Sequence, residues 1–182
     1  MQKIFRKYII IIMSISLASV LLINFFLSTD SLQARTLETF NLKINEVLSS
    51  NIIADVDRNL FTELVYGTIK RKYTLDYILK PFVKTKIKGW VRQLLWMSIY
   101  QYVYLDKVPD HAIINEAVDI AKQRGGHHNG NIVNGILRSM MRSELPHFQE
   151  IKDDKKRIAL EYSLPKWLVN HWVTHYGLVK IG

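Results

Sequence analysis

Residues Trp90 to Leu105 carry apolar side chains around most of a helical circumference: Val91, Leu94, Leu95, Met97, Ile99, Tyr102, Val103 and Leu105. A helix of that kind has no face to give to water, so other elements must enclose it. Its neighbours in sequence are one-sided. Leu60, Phe61, Leu64, Val65 and Ile69 recur at helical spacing upstream. Ile113, Ile114, Ala117, Val118 and Ala121 do the same downstream, followed by Ile132, Val133, Ile136 and Leu137. No stretch alternates with the period of two that marks a strand. The pattern predicts an all-α bundle with residues 90–105 at its centre.

Local signals place the boundaries. Leu37, Phe40, Ile44, Val47 and Leu48 allow a short helix before the Ser49-Ser-Asn51 loop. Asp55 or Asp57 can cap the helix that follows. Pro81 interrupts the segment that starts at Thr74. Pro109 and Asp110 open the next helix. Gly125-Gly-His-His-Asn-Gly130 reads as a short loop between two helices, residues 108–124 and 131–138. Each of these sets an asparagine, Asn115 or Asn134, among apolar neighbours. A buried Asn must be hydrogen-bonded and can tie two helices together, whereas an exposed one can address bases or sugar hydroxyls. The structural role is the favoured reading. Beyond Arg142 the chain is expected to loosen through Pro146 and the charged run Lys152–Arg157. A last helix from Ser163 carries Trp167, Leu168 and Trp172 and ends at Gly177, with too little chain after it to cover its apolar face.

Tyr8 to Leu27 is a different kind of segment. Its clearly polar residues are Ser14, Ser16, Ser19 and Asn24, and Lys3, Arg6 and Lys7 precede it. That is the layout of a signal peptide or of a membrane anchor with its N-terminus inside. Leu32, two residues before Ala34, makes a poor cleavage site. Residues 1–34 therefore form an apolar N-terminal segment, 35–143 a helical domain, and 144–182 a linker with one helix.

Charge is concentrated. The chain carries +9, of which residues 1–34 account for +2. Lys70, Arg71, Lys72, Lys80, Lys84, Lys86, Lys88 and Arg92 stand against Asp76 alone, which supplies the other +7. A basic region on a neutral body suits a polyanion. The competing reading is structural, because Lys70-Arg-Lys72 closes a helix whose dipole favours cations. Lys84, Lys86, Lys88 and Arg92 surround the start of the central helix, and both sets share one rim if residues 74–83 double back. Arg138 and Arg142 are weaker phosphate-binding candidates. Tyr66, Tyr73, Tyr77, Phe82 and Trp90 interleave with the cations but are mostly assigned to the core.

The chain has no cysteine, which removes disulfides, cysteine zinc sites and cysteine nucleophiles. His171 and His175 have a spacing that can share a metal, with no third ligand in sight, and a surface pair is the preferred reading. His127 and His128 lie in the glycine loop. Glu63 and Glu116 have no partner carboxylate. No catalytic constellation emerges.

Several ordered segments resemble a known family: Asp57-Arg-Asn-Leu-Phe-Thr-Glu-Leu-Val-Tyr-Gly-Thr68, Thr74–Leu79, Tyr100–Val108, Asn115-Glu-Ala-Val118, Val133-Asn-Gly-Ile-Leu-Arg138 and Tyr162-Ser-Leu-Pro-Lys-Trp-Leu168. Together they resemble the NusB-like helical domain fused to the RsmB (Sun) family of 16S rRNA cytosine-C5 methyltransferases. The resemblance implies a NusB-like bundle that binds RNA, 16S rRNA above all, and does no chemistry itself. The family's S-adenosylmethionine fold and its catalytic cysteines have no counterpart here. The chain is therefore expected to be a non-catalytic, cofactor-free fragment or disrupted gene product. Its RNA-binding residues would be Lys70, Arg71, Lys72, Lys84, Lys86, Lys88, Arg92, Arg138 and Arg142. The implied location is cytoplasmic. A membrane-associated form held by residues 8–27, or a module binding a protein partner, is the alternative.

Overall fold

The computed structural model describes residues 41–177 except 43, 47, 50–57 and 107. The expectations for residues 1–34, and for a cap at Asp55 or Asp57, lie outside the described residues. Residues 41–42, 44–46 and 48–49 are helical, and Ile44 is buried. Six α-helices then follow among the described residues: α1 (Arg58–Lys70), α2 (Lys72–Leu79), α3 (Gly89–Tyr104), α4 (Asp110–Met141), α5 (Asp154–Glu161) and α6 (Lys166–Tyr176). They include no strand.

Helix α3 is the axis. It packs on α1, α2 and α4, and its buried residues, Val91, Gln93, Leu94, Leu95, Met97, Ser98, Ile99, Tyr100 and Gln101, point all round it. Leu95 and Ile99 are 0% exposed. From α1 come Phe61, Leu64 and Val65, from α2 Leu75, Ile78 and Leu79, and from α4 Ile114, Ala117, Val133 and Leu137. Gly67 of α1 is part of this fit. A Cβ there would fall inside the Tyr100 ring, whose hydroxyl donates to Glu63. Pro81 ends α2 in a single 3-10 turn, Lys80–Phe82, as a missing amide requires.

The glycine-rich segment is shorter as a loop than its composition suggests. α4 is two helical arms meeting at Gly126, where φ is 78° and ψ 174°. This is the one residue that leaves the helical region, and the left-handed φ suits glycine. His127 to Gly130 already belong to the second arm. Gly130 lies against the Val118 carbonyl and the Lys122 side chain. The ends of the arms, Asp110–Asn115 and Arg138–Arg142, line one cleft. The arms are therefore antiparallel, an αα-hairpin.

The charged run at 152–157 is not loose chain. It opens α5: Asp153 caps it through the Lys156 amide at 3.2 Å, and Arg157 pairs with Asp154 and Glu161. An eight-residue helix with only Ile158 and Ala159 buried leaves little apolar period to detect. The final helix, expected to lack cover, rests on α5 instead. Ile158, Ala159 and Val169 form a second, small cluster with Leu164 and Val173. Trp167 remains 65% exposed.

Candidate nucleic-acid interface

The direction of α2 decides where the cations go. The Arg71 guanidinium, just before α2, stacks on the ring of Tyr104, the last residue of α3, at 5.0 Å. Further along α2, Asp76 accepts from Arg92 Nη1 at 2.6 Å and from Trp96 Nε1 at 3.1 Å, in the first half of α3. α2 thus runs antiparallel to α3. Lys70, Arg71 and Lys72 sit at the C-terminal end of α3, and Lys84, Lys86 and Lys88 at its N-terminal end. Sixteen helical residues separate the two ends, about 24 Å. The single rim expected from sequence does not form, because the chain doubles back over the whole length of the central helix.

At the N-terminal end, Lys84, Lys86 and Lys88 are exposed, and none forms a salt bridge among the described residues. Lys88 is the N-cap residue of α3. Two residues on, Trp90 carries the Arg124 guanidinium over its ring at 5.1 Å. Arg124 escaped the sequence reading. Its signal was its place just before the reversing glycines, which brings it to the start of α3. Exposed His127 and His128 follow on the second arm. Lys80 is exposed, while Arg92 is half-buried on Asp76.

At the opposite end the cations are more engaged. Besides stacking on Tyr104, Arg71 donates from Nη1 to the Glu161 carbonyl at 3.5 Å. Lys72 lies over the Tyr73 ring at 5.0 Å. Lys70 is exposed at the C-terminus of α1. Arg138 and Arg142 stand here too, since α4 begins six residues after Tyr104 and ends beside its own start. With Asp110, His111, Ile114, Asn115 and Met141 they line an open cleft of about 290 Å³. Arg138 Nε donates to Asn134 Oδ1 at 2.9 Å, and Arg142 Nε to the Arg138 carbonyl at 3.0 Å.

The asparagines thus depart from the favoured structural role. Asn115 is exposed at the cleft, and Asn134 orients an arginine rather than tying helices together. The buried polar residue of that segment is its neighbour Glu116, 5% exposed, whose Oε2 has no hydrogen-bond partner among the described residues. Burial, and then the nearby Asp119, push its carboxyl up to about 7. Tyr100 is also raised, by burial and then by the bond to Glu63. The His171 and His175 rings lie 4.1 Å apart, with His175 Nδ1 donating to the His171 carbonyl at 2.8 Å. No group of three or more metal-binding side chains occurs among the described residues. No helix of the described residues is long and apolar enough to cross a membrane; residues 8–27 lie outside them.

This arrangement has relatives. The sequence profile of the NusB family matches residues 18–142, beginning inside the apolar run and ending with the α4 hairpin. The probable ribosomal RNA small subunit methyltransferase B of Bacillus subtilis is 50% identical over 139 residues, 75% of this chain and 31% of that protein. The transcription antitermination protein NusB of Bacillus licheniformis is 27% identical over 113 residues, 60% of this chain and 87% of that protein. Among solved structures, the crystal structure of PH0851 superposes with a TM-score of 0.62 at 15% identity, over 92% of this chain and 34% of that one. That likeness is one of fold. The chain spans about a third of the length of the methyltransferase it matches.

Proposed function

The chain belongs to the NusB family, and on that premise we propose that it is an RNA-binding domain whose phosphate-facing rim is Lys84, Lys86 and Lys88, with Arg124 beside them. One observation carries this reading: three exposed lysines, none in a salt bridge among the described residues, crowd the N-terminus of α3. A helix N-terminus is the positive end of its dipole, so cations there gain nothing from the fold and repel one another. A bound polyanion reverses that balance, because phosphates meet both the lysines and the dipole. Lys70, at a helix C-terminus, has a structural explanation that these three lack. Arg71 and Arg92 are held by Tyr104 and Asp76, so their share in binding is smaller. Lys70, Lys72, Arg138 and Arg142 form a second set at the far end.

The methyltransferase relative acts on ribosomal RNA of the small subunit by its name. The finer reading is that this domain presents 16S rRNA to such an activity, in the cytoplasm, and transfers no methyl group by itself. Labelled S-adenosylmethionine with unmethylated 16S rRNA should therefore give no incorporation. The binding claim is tested by anisotropy with single-stranded RNA across a salt series. Lys84, Lys86 and Lys88 all changed to Glu should weaken binding and reduce the magnitude of the slope of log K against log salt by about 3. An unchanged slope would return these lysines to solvated surface. RNA affinity absent even at low salt would favour the protein-partner reading. Pelleting of the chain with membranes after high-salt washing would favour the anchored form.

A further inference from the structure

We propose that the cleft between the two ends of the α4 hairpin holds a single RNA nucleotide, with its phosphate on Arg138 and Arg142 and an amino-bearing base edge on Asp110. The assignment rests on the RNA-binding reading above but concerns a different place, at the opposite end of α3 from the lysine rim. Three features carry it.

First, both arginines are pre-oriented and unspent. Each is tethered through Nε, Arg138 to Asn134 and Arg142 to the Arg138 carbonyl. Among the described residues neither forms a salt bridge. Their terminal NH2 groups are left to a ligand, in the forked geometry that matches phosphate. Second, the cleft is not purely basic. Asp110 stands on its wall with Asn115, while Ile114 and Met141 give it apolar surface. A phosphate alone would gain nothing from a carboxylate or from apolar surface. A nucleotide uses all of them: phosphate on guanidinium, ring against the aliphatic side chains, exocyclic amine donated to Asp110. Asn115 offers a donor and an acceptor to the sugar or base. Third, a volume of about 290 Å³ is at the small end of ligand sites and suits one nucleotide of an unpaired strand. The carboxylate makes the site selective, because uracil presents a carbonyl where cytosine presents an amine, and two acceptors face to face repel.

The test titrates the isotope-labelled full chain at low salt with cytidine 5′-monophosphate, uridine 5′-monophosphate, cytidine and inorganic phosphate, read by NMR. The cytidine nucleotide should shift the Asn115 and Arg142 signals and saturate at about tenfold lower concentration than the uridine nucleotide. Arg138→Gln with Arg142→Gln should abolish the shifts. Asp110→Asn should erase the cytidine preference while leaving both nucleotides bound. At physiological salt, where the Debye length of about 8 Å screens charges at the other end of α3, the Lys84, Lys86 and Lys88 to Glu variant should bind cytidine monophosphate like the unmodified chain. Equal saturation by inorganic phosphate, shifts that survive the double arginine change, or shifts away from the cleft would each overturn the assignment. If RNA still binds in a lysine-dependent way in such a case, the nucleotide cleft fails and the lysine rim stands. If RNA binds the unmodified chain at no salt concentration, the RNA reading fails and takes the cleft with it.

Discussion

The α1–α4 bundle and the α5–α6 pair are held together by different physics. In the bundle, Phe61, Leu64, Leu75, Leu79, Leu94, Leu95 and Ile99 are almost wholly withdrawn from water around one axis. The pair has three buried residues, Ile158, Ala159 and Val169, too few to stand alone. It is fastened to α2 by polar contacts. Thr74 Oγ1 donates to the Leu160 carbonyl at 2.6 Å, and the Tyr73 amide donates to Ser163 Oγ at 3.1 Å. The rings of Tyr77 and Phe148 add a contact at 5.5 Å. A hydrophobic core fails cooperatively, whereas a polar clasp opens locally. The molecule should accordingly have one global stability and one lower, sub-global one.

The sharpest break of that contrast is Leu95→Ala. It should cost on the order of 2–5 kcal/mol in denaturant unfolding, because the site is enclosed on all sides and collapses poorly. Protection of α5–α6 amides should fall with it, since the pair leans on α2. A pair that keeps its hydrogen-exchange protection while the bundle melts would show two independent units.

A smaller effect separates the two regions by pH. Glu116 lies in the bundle, and its folded carboxyl is raised to about 7 from the usual 4.5. The folded state therefore binds more protons than the unfolded state in that window. Stability from this group is present below about 4.5 and is lost as pH rises through 7. The difference between the unmodified chain and Glu116→Gln should change by about 1–3 kcal/mol across the window, with the Gln variant gaining toward high pH. A pH-independent difference would mean that water or a neighbour satisfies the carboxylate.

The smallest expected effect is Thr74→Val, which keeps the shape and removes one hydrogen bond of the clasp. It should cost about 1 kcal/mol. Amide exchange should quicken in α5 and α6 and stay unchanged in the centre of α3. A uniform quickening would erase the distinction between core and clasp.

The bundle was legible in the sequence, and the pair was not, for the same reason that they differ in strength. Apolar periodicity reports burial, so the many-sided pattern of residues 90–105 located α3 within a residue at each end. α5 buries two residues and announces itself mainly by charge, which reads as loop. Ser163 was misplaced for another reason: its residue type suggests the start of the last helix, whereas α6 begins at Lys166. Ser163 sits at φ 58°, ending α5 with the Leu164 amide bonded back to the Ala159 carbonyl at 2.8 Å, a place glycine usually fills. Its hydroxyl explains the choice, since it accepts the Tyr73 amide of α2, whose own N-cap residue Arg71 offers no side-chain acceptor.

The candidate site was legible by residue type and not by placement. Proximity along the chain grouped Lys70–Lys72 with Lys84–Lys88, and the antiparallel run of α2 parted them. The cleft escaped because its walls lie some thirty positions apart. A reversal centred near residue 126 pairs positions whose numbers share a nearly constant sum, and that places Asp110–Asn115 opposite Arg138–Arg142. A six-residue loop, as the composition of Gly125–Gly130 suggests, leaves this pairing without a fixed centre.

The reversal at Gly126 also has a meaning in time. Both walls of the cleft come from one uninterrupted stretch, Asp110 to Arg142, closed on itself by a single residue. Contacts of such short sequence separation form early and need no distant element to arrive first. A nascent chain would thus shape this cleft as soon as the hairpin closes, before α5 has docked on α2.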